Sequence, residues 1–337
     1  MSDVLDAPIL PRGGARRHPN LVGVRCAVLG AGGFLGGALV AALCAEGAIV
    51  HGFGRRGVRS RIDERSAWTE ASFADTDALA RVLEGQQLVF HFISSSLPAT
   101  SNRVPAAALA DDVYPTLDLL ERCVSAGVEK VVFASSGGTV YGVPGTIPTP
   151  EIANTTPISA YGIAKLTIEK YLALYRHLHG LDFVALRIAN PYGPGQSPHK
   201  KLGVIASMVH AALTGSPIEI WGSGEVIRDF VYVADVIDAI LCGAEYAGGD
   251  RIFNIGSGVG RSVNDVLADV RRAFGDVVLD VVRKPGRTAD VPVSVLDTTL
   301  ARRELGWSPT VDFCAGIDQT VRWMRGQRFS GPGDARS

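Results

Sequence analysis

Residues 25–43 constrain the fold of this chain more tightly than any other stretch. Arg25-Cys-Ala-Val-Leu29 is a short apolar run, and Gly30-Ala-Gly-Gly33-Phe-Leu-Gly36 follows it directly. Beyond the glycines, Leu35, Leu39, Val40 and Leu43 recur at helical spacing. A strand, a glycine turn and a helix in that order predict a βα unit whose turn closely approaches a ligand. Gly30 allows the tight turn, Gly33 lets backbone N–H groups approach a pyrophosphate, and Gly36 lets helix pack close on strand. The phosphates then sit at the helix N-terminus, where orphan N–H groups and the dipole favour an anion. Phe34 and Leu35 lie within the turn and complete this set of candidate cofactor contacts.

The same alternation continues. Ala48 to Phe53 is the second strand, Asp75 to Leu83 a helix, and Gln87 to Ile93 a buried strand ending in Ser94-Ser-Ser96. Ala107 to Ala126 reads as one long helix and Val128 to Ala134 as a strand running into Ser135-Ser-Gly-Gly-Thr-Val-Tyr-Gly142. Strands alternating with helices predict an α/β fold, a doubly wound parallel sheet of Rossmann type, with the strand C-termini and the ligand along one edge. Ser94, Ser96 and Ser135 fall at that edge. At the end of the second strand, where an acid commonly accepts from an adenosine ribose, stand His51-Gly-Phe-Gly-Arg55-Arg56. Two guanidinium groups suit a 2′-phosphate and favour NADP; as two solvated arginines they leave NAD equally open.

Tyr161-Gly-Ile-Ala-Lys165 places a phenol and an ammonium four residues apart, on one face of the helix expected to run to about Arg176. A free tyrosine titrates near pH ~10, and a nearby cation pulls that value down, making the phenol a usable proton acceptor.

Composition excludes several classes of function. The 337 residues carry a net charge of −1, with 47% hydrophobic and 20% charged residues, which suits neither nucleic acid nor an anionic membrane as a partner. No apolar run approaches the roughly 18 residues of a membrane span. Residues 1–22, with Arg12, Arg16 and Arg17, read as a flexible arm, and residues 328–337 as a flexible tail. Five widely spaced cysteines without C-x-x-C spacing read as reduced thiols of a cytoplasmic protein, with no metal expected.

The glycine turn, the Ser-rich strand leading to Val-Tyr-Gly, and Tyr-x-x-x-Lys together resemble the extended short-chain dehydrogenase/reductase family, of the NAD-dependent epimerase/dehydratase type. Leu186-Arg-Ile-Ala-Asn-Pro-Tyr-Gly-Pro194, Ile220-Trp-Gly-Ser-Gly224, Arg228-Asp-Phe-Val-Tyr-Val-Ala-Asp235 and Glu304-Leu-Gly-Trp-Ser-Pro309 extend the likeness over residues 24 to 325. The resemblance implies a nucleotide-sugar enzyme moving a hydride at sugar C4. Tyr161 would be the acid/base, and Lys165 would bind the nicotinamide ribose. Asn190 would contact the substrate, Arg228 would clamp its diphosphate, and a cation from Arg283, Lys284 or Arg287 would assist. The family commonly dimerises through two helices that correspond to 107–126 and 161–176 here, so a homodimer is expected, with Leu117, Leu120, Leu172 and Leu174 offering apolar surface that the intramolecular core could claim equally.

Three departures qualify the resemblance. Gly137 stands where the family usually has a catalytic Ser or Thr, so the hydroxyl must come from Ser136 or Thr139, or be replaced by water. Ser72 replaces an acid expected near the adenine, and Asp112 an expected Asn. Gly138 and Thr139 replace the acid pair of a 4,6-dehydratase, which argues against dehydration.

After residue 194 the βαβ rhythm weakens. The expected division is a dinucleotide-binding domain over 23–190, with returning segments near 228–256, and a smaller substrate lobe mainly over 191–327. The readings that follow are a UDP- or dTDP-sugar 4-epimerase with retained NAD, an NADPH-dependent 4-ketoreductase, or a cofactor-binding regulator without turnover.

Overall fold

In the computed structural model, the described residues are 18–55, 63–98, 100–198, 203–275, 278–286 and 291–327. Residues 1–17 of the expected N-terminal arm over 1–22, the 328–337 tail, Arg56 and Arg287 lie outside them; within 18–22, His18 and Leu21 are buried, so that part is packed rather than a flexible arm.

The chain alternates β1 (Arg25–Leu29), α1 (Phe34–Ala45), β2 (Ile49–Gly54), β3 (Ala67–Glu70), α2 (Thr76–Leu83) and β4 (Leu88–His91). It continues through α3 (Pro105–Ala108), α4 (Tyr114–Ser125), β5 (Lys130–Ser136), α5 (Ala160–His179) and β6 (Asp182–Ile188). Six of these strands and a later one, β10, form a seven-stranded sheet in the order β10-β6-β5-β4-β1-β2-β3, with every pairing parallel. Strands buried on both faces need apolar side chains throughout, and Cys26–Leu29, Leu88–His91 and Phe183–Ile188 are buried at every position. The order reverses between β1 and β4, and the crevice at such a point is where α/β sheets bind ligands.

The second half is β7 (Asn190–Tyr192), α6 (Val204–Thr214), β8 (Ile218–Trp221), β9 (Ile227–Tyr232) and α7 (Val233–Glu245). Then come β10 (Ile252–Ile255), β11 (Gly260–Ser262), α8 (Val263–Ala273), β12 (Val281–Lys284), β13 (Val293–Ser294) and α9 (Phe313–Gly326). Of the returning segments expected near 228–256, β10 joins the main sheet beside β6, whereas β9 is the hub of a small sheet with β7, β11 and β13. Two buried acids hold loops of this region. Asp229 accepts from Ser257 N and Oγ (2.7 and 2.6 Å), and Asp235 accepts from Thr310 N and Oγ1 (3.0 and 2.8 Å).

Two expectations need correction. The helix foreseen over 107–126 is broken by a π-helical turn at Leu109–Val113 between α3 and α4. Leu120 and Leu172, expected on a dimer face, are fully claimed by the intramolecular core at 0% and 1% exposure, because α4 and α5 turn those positions onto the sheet. Leu174, at 43%, does face outward.

Candidate functional site

The site grows from the C-terminal ends of β1, β4 and β5. After β1 the chain turns at Gly30, whose φ of +87° lies in the left-handed region that favours glycine. A Cβ on Gly30 would meet the Phe92 backbone at 3.1 Å, and one on Gly36 would lie 2.2 Å from Gly30 O. Gly33 caps α1 without any side-chain hydrogen bond, so the first-turn N–H groups face the cleft uncapped by a side chain. This cradle fits a pyrophosphate in both shape and charge.

A cleft of about 250 Å³ opens above it and is lined by Gly30, Gly33, Phe34, Leu35, Gly36, Ser94, Ser135, Ser136, Tyr161 and Lys165. Ten of the residues singled out from sequence therefore converge on one volume. The nicotinamide end of a dinucleotide fits there beside the tyrosine. At the adenosine end, Arg55 is exposed just past β2, and no acid stands on β2.

Helix α5 positions the two central side chains. Ser159 caps it by accepting from Gly162 N at 3.1 Å. Ser101 Oγ accepts from Tyr161 N (3.2 Å) and Asn102 Oδ1 from Ala160 N (2.8 Å), so the helix start is held from a segment sixty residues earlier. Sequence reasoning missed Ser101 and Asn102, which lie in no recognisable motif.

Tyr161 and Ser136 line the cleft together. Burial pushes the phenol up to about 12; the nearby Ser136 hydroxyl pulls the other way, and the Asp112 carboxylate adds to the rise. The expected depression by Lys165 is not the pattern here. Lys165 Nζ donates to Ala134 O at 2.8 Å and stands 5.6 Å from the centre of the Tyr161 ring, over its face. Burial brings Lys165 down to about 8, against the pull of Asp112 and Glu169.

Of the two alternative hydroxyls, Ser136 lines the cleft with Tyr161, while Thr139 Oγ1 is buried without a hydrogen-bond partner and lies outside the cleft lining. A Cβ on Gly137 would strike Leu296 Cδ1 at 2.4 Å and Arg187 O at 2.8 Å, so a side chain there would collide with the core. Ser135 borders the cleft, and its hydroxyl donates to Glu169 Oε1 at 2.5 Å. The π-helical turn carries Asp112 under the β4 end, where its carboxylate accepts from Ser95 N (2.6 Å) and Ser96 N (3.2 Å). Ser96 is thus placed by Asp112 rather than by the cleft, which it does not line.

The remaining substrate candidates lie toward the small sheet. Asn190 Nδ2 donates to Asp229 O at 2.9 Å, next to cleft residues Ala189 and Pro191. Arg228 Nη1 donates to Ile227 O (2.9 Å) and Val291 O (2.7 Å). Arg283 Nη1 donates to Ser223 O at 2.5 Å.

Residues 26–256 match the sequence profile of the NAD dependent epimerase/dehydratase family. A UDP-glucose 4-epimerase of Mycolicibacterium smegmatis is 36% identical over 310 residues, covering 90% of this chain and 99% of that one. The crystal structure of a Thermotoga maritima UDP-glucose 4-epimerase with UDP-glucose superposes with a TM-score of 0.86 at 36% identity, over 90% and 99% of the two chains. The Thermus thermophilus UDP-glucose 4-epimerase in complex with NAD does so with a TM-score of 0.84 at 33% identity, also over 90% and 99%.

Proposed function

This chain belongs to the NAD-dependent epimerase/dehydratase family and is an NAD-dependent enzyme of nucleotide-sugar chemistry, and from that premise we propose that it is a UDP-sugar 4-epimerase. The observation that carries the reading is that Ser136, Tyr161 and Lys165 share one cleft with the glycine cradle.

Gly30, Gly33 and Gly36 would hold the pyrophosphate, and Phe34 and Leu35 would flank it. A bound NAD would supply a reversible acceptor for the C4 hydride, and epimerisation requires the sugar to turn its other face before the hydride returns. Tyr161 would take the C4 hydroxyl proton and give it back, with Ser136 fixing the phenol and holding the same oxygen. Lys165, anchored on Ala134 O, still has two ammonium protons for ribose hydroxyls. Asn190 and Arg228 would orient the nucleotide, a guanidinium being suited to diphosphate oxygens. Arg55, Arg56 and Arg287 stay candidates on sequence grounds. Arg55 supports the ketoreductase as a second reading, since its exposed guanidinium past β2 could take a 2′-phosphate.

A homodimer would use the outer faces of α4 and α5, where Tyr114, Ile163, Leu174 and Leu178 are 43–63% exposed. A monomeric mass by light scattering at micromolar concentration would count against it.

The deciding experiment is to purify the protein without added cofactor, denature it, identify the released nucleotide, and supply UDP-glucose to the native enzyme. Stoichiometric NAD with formation of UDP-galactose supports the epimerase. An empty protein that prefers NADPH and reduces a 4-keto sugar once would replace it with the ketoreductase.

A further inference from the structure

His18, Asp238 and Cys242 stand together far from the cleft. Asp238 and Cys242 are four residues apart on α7, hence on one face, and His18 is brought to them just before the first 3-10 turn at Pro19–Leu21. One ligand atom from each lies within 4.8 Å of the other two. His18 is 1% exposed and Cys242 6%.

The histidine is oriented as a metal ligand is. Its Nδ1 lies 2.6 Å from Glu245 Oε2; a carboxylate only accepts, so Nδ1 carries a proton, and any proton that Asp238 holds on Nε2 must leave when a metal binds there. Nε2 is buried without a hydrogen bond and lies 3.5 Å from Asp238 Oδ1. A second carboxylate, Glu46, accepts from the His18 backbone N–H at 3.0 Å, and Glu245 also accepts from Asn20 N–H at 3.3 Å. A carboxylate fixing the far nitrogen of an imidazole is the usual support for a ligating histidine.

We propose that His18 Nε2, Asp238 and Cys242 Sγ bind a divalent metal ion of the zinc type, pinning the start of the described chain to α7. A nitrogen, a sulfur and a carboxylate oxygen form a mixed set that zinc accepts in tetrahedral geometry. Bond lengths of about 2.0–2.3 Å place ligand atoms roughly 3.3–3.8 Å apart. Closing the set therefore takes rotamer adjustments of about 1 Å, with water in the fourth position. The thiol proton leaves on binding, and one thiolate with one carboxylate neutralises the ion. Asp238, 37% exposed, gives a route from solvent. The sequence hid this set because its members lie 220 residues apart. Since α1 runs 12 residues from the cradle to Glu46, about 18 Å separates the metal from the cleft, and the two sites act independently.

The test is to incubate the full chain with Zn²⁺, remove unbound metal by gel filtration, and measure what remains. In parallel, Co²⁺ is added to look for the near-ultraviolet band of a sulfur–cobalt bond. We expect one equivalent per chain and that band. Cys242→Ala should abolish the band, His18→Gln should weaken retention at least about tenfold, and Glu245→Gln should cost about 10- to 100-fold. Cys314→Ala should change nothing, and Cys242→Ala should leave NAD-dependent activity intact. Retention below about a tenth of an equivalent overturns the proposal and leaves His18 as a protonated clamp between two carboxylates. Retention unaffected by both Cys242→Ala and His18→Gln overturns it as well. Far-UV circular dichroism confirms that each variant is folded.

Discussion

Arg187 meets Glu169 as a buried two-point pair beneath the cleft, with Nη2 2.7 Å from Oε2 and Nε 3.0 Å from Oε1. Both side chains are almost inaccessible, at 3% and 0%. Ser135 donates to the same carboxylate, and Arg187 Nη1 donates to Tyr141 OH at 2.9 Å. Glu169 lies one turn beyond Lys165 on α5, and Arg187 is the β6 partner of Ser135 on β5. The pair therefore welds the helix of Tyr161 and Lys165 to the sheet edge that carries Ser136. Arg187→Met strands a buried carboxylate and should cost about 3–5 kcal/mol by urea unfolding. Adding Glu169→Leu should recover much of that. A double variant no more stable than Arg187→Met would show that the arginine acts through packing alone.

The two hydroxyls near Gly137 should separate cleanly. Ser136→Ala removes the hydroxyl that shares the cleft with Tyr161 and should lower kcat about a hundredfold, in the range of positioned acid–base groups. Thr139→Val removes a buried hydroxyl without a hydrogen-bond partner, so activity should persist and stability should hold or rise by about 1 kcal/mol. Steady-state kinetics on both variants checks this; the reverse ranking would move the catalytic hydroxyl to Thr139.

Gly36→Ala should abolish retention of NAD. Its Cβ would sit 2.2 Å from Gly30 O, so α1 must slide or the turn must open, and either change spoils the cradle. Overpacking of this kind costs about 1–3 kcal/mol. Gly138→Ala meets nothing within 4 Å and serves as the control. Measured NAD content per chain decides, and a loaded Gly36→Ala protein would mean that the close packing is not needed for the cofactor.

Local patterns made the sheet and the cofactor cradle readable, because a glycine turn between strand and helix leaves few ways to fold. Tyr161 and Lys165 were readable for the same reason, being one helical turn apart. Partnership across the fold was not. Periodicity showed that Leu120 and Leu172 face something apolar, but not that the sheet, rather than another chain, covers them. Nothing local in Ser135-Ser136 says that one hydroxyl turns to Glu169 while the other residue lines the cleft with Tyr161. The break at Leu109–Val113 was hidden because every residue in it suits an ordinary helix, while its cause, Asp112 reaching the Ser95 and Ser96 amides, is tertiary.

The electrostatics of Lys165 give a pH dependence with a definite sign. Burial lowers it from 10.5 to about 8, so between those values the unfolded chain binds more protons than the folded one. Stability contributed at this site therefore rises with pH across that window, and below pH ~8 the full cost of burying the ammonium is present. That cost is on the order of 3 kcal/mol. Tyr161, Cys26 and Cys123 oppose this, because their raised values make the folded chain hold protons that the unfolded chain has lost. A difference between variants isolates the lysine. Lys165→Met should be more stable than the parent near neutral pH, and the gap should close as pH approaches about 10.5. Asp112→Asn removes a carboxylate that raises both Lys165 and Tyr161, so it should shift the Lys165 window downward and ease Tyr161 ionisation. Paired urea unfolding curves over this range check the sign. A gap that widens with pH would mean that Lys165 is held by its partners more strongly than it is penalised by burial.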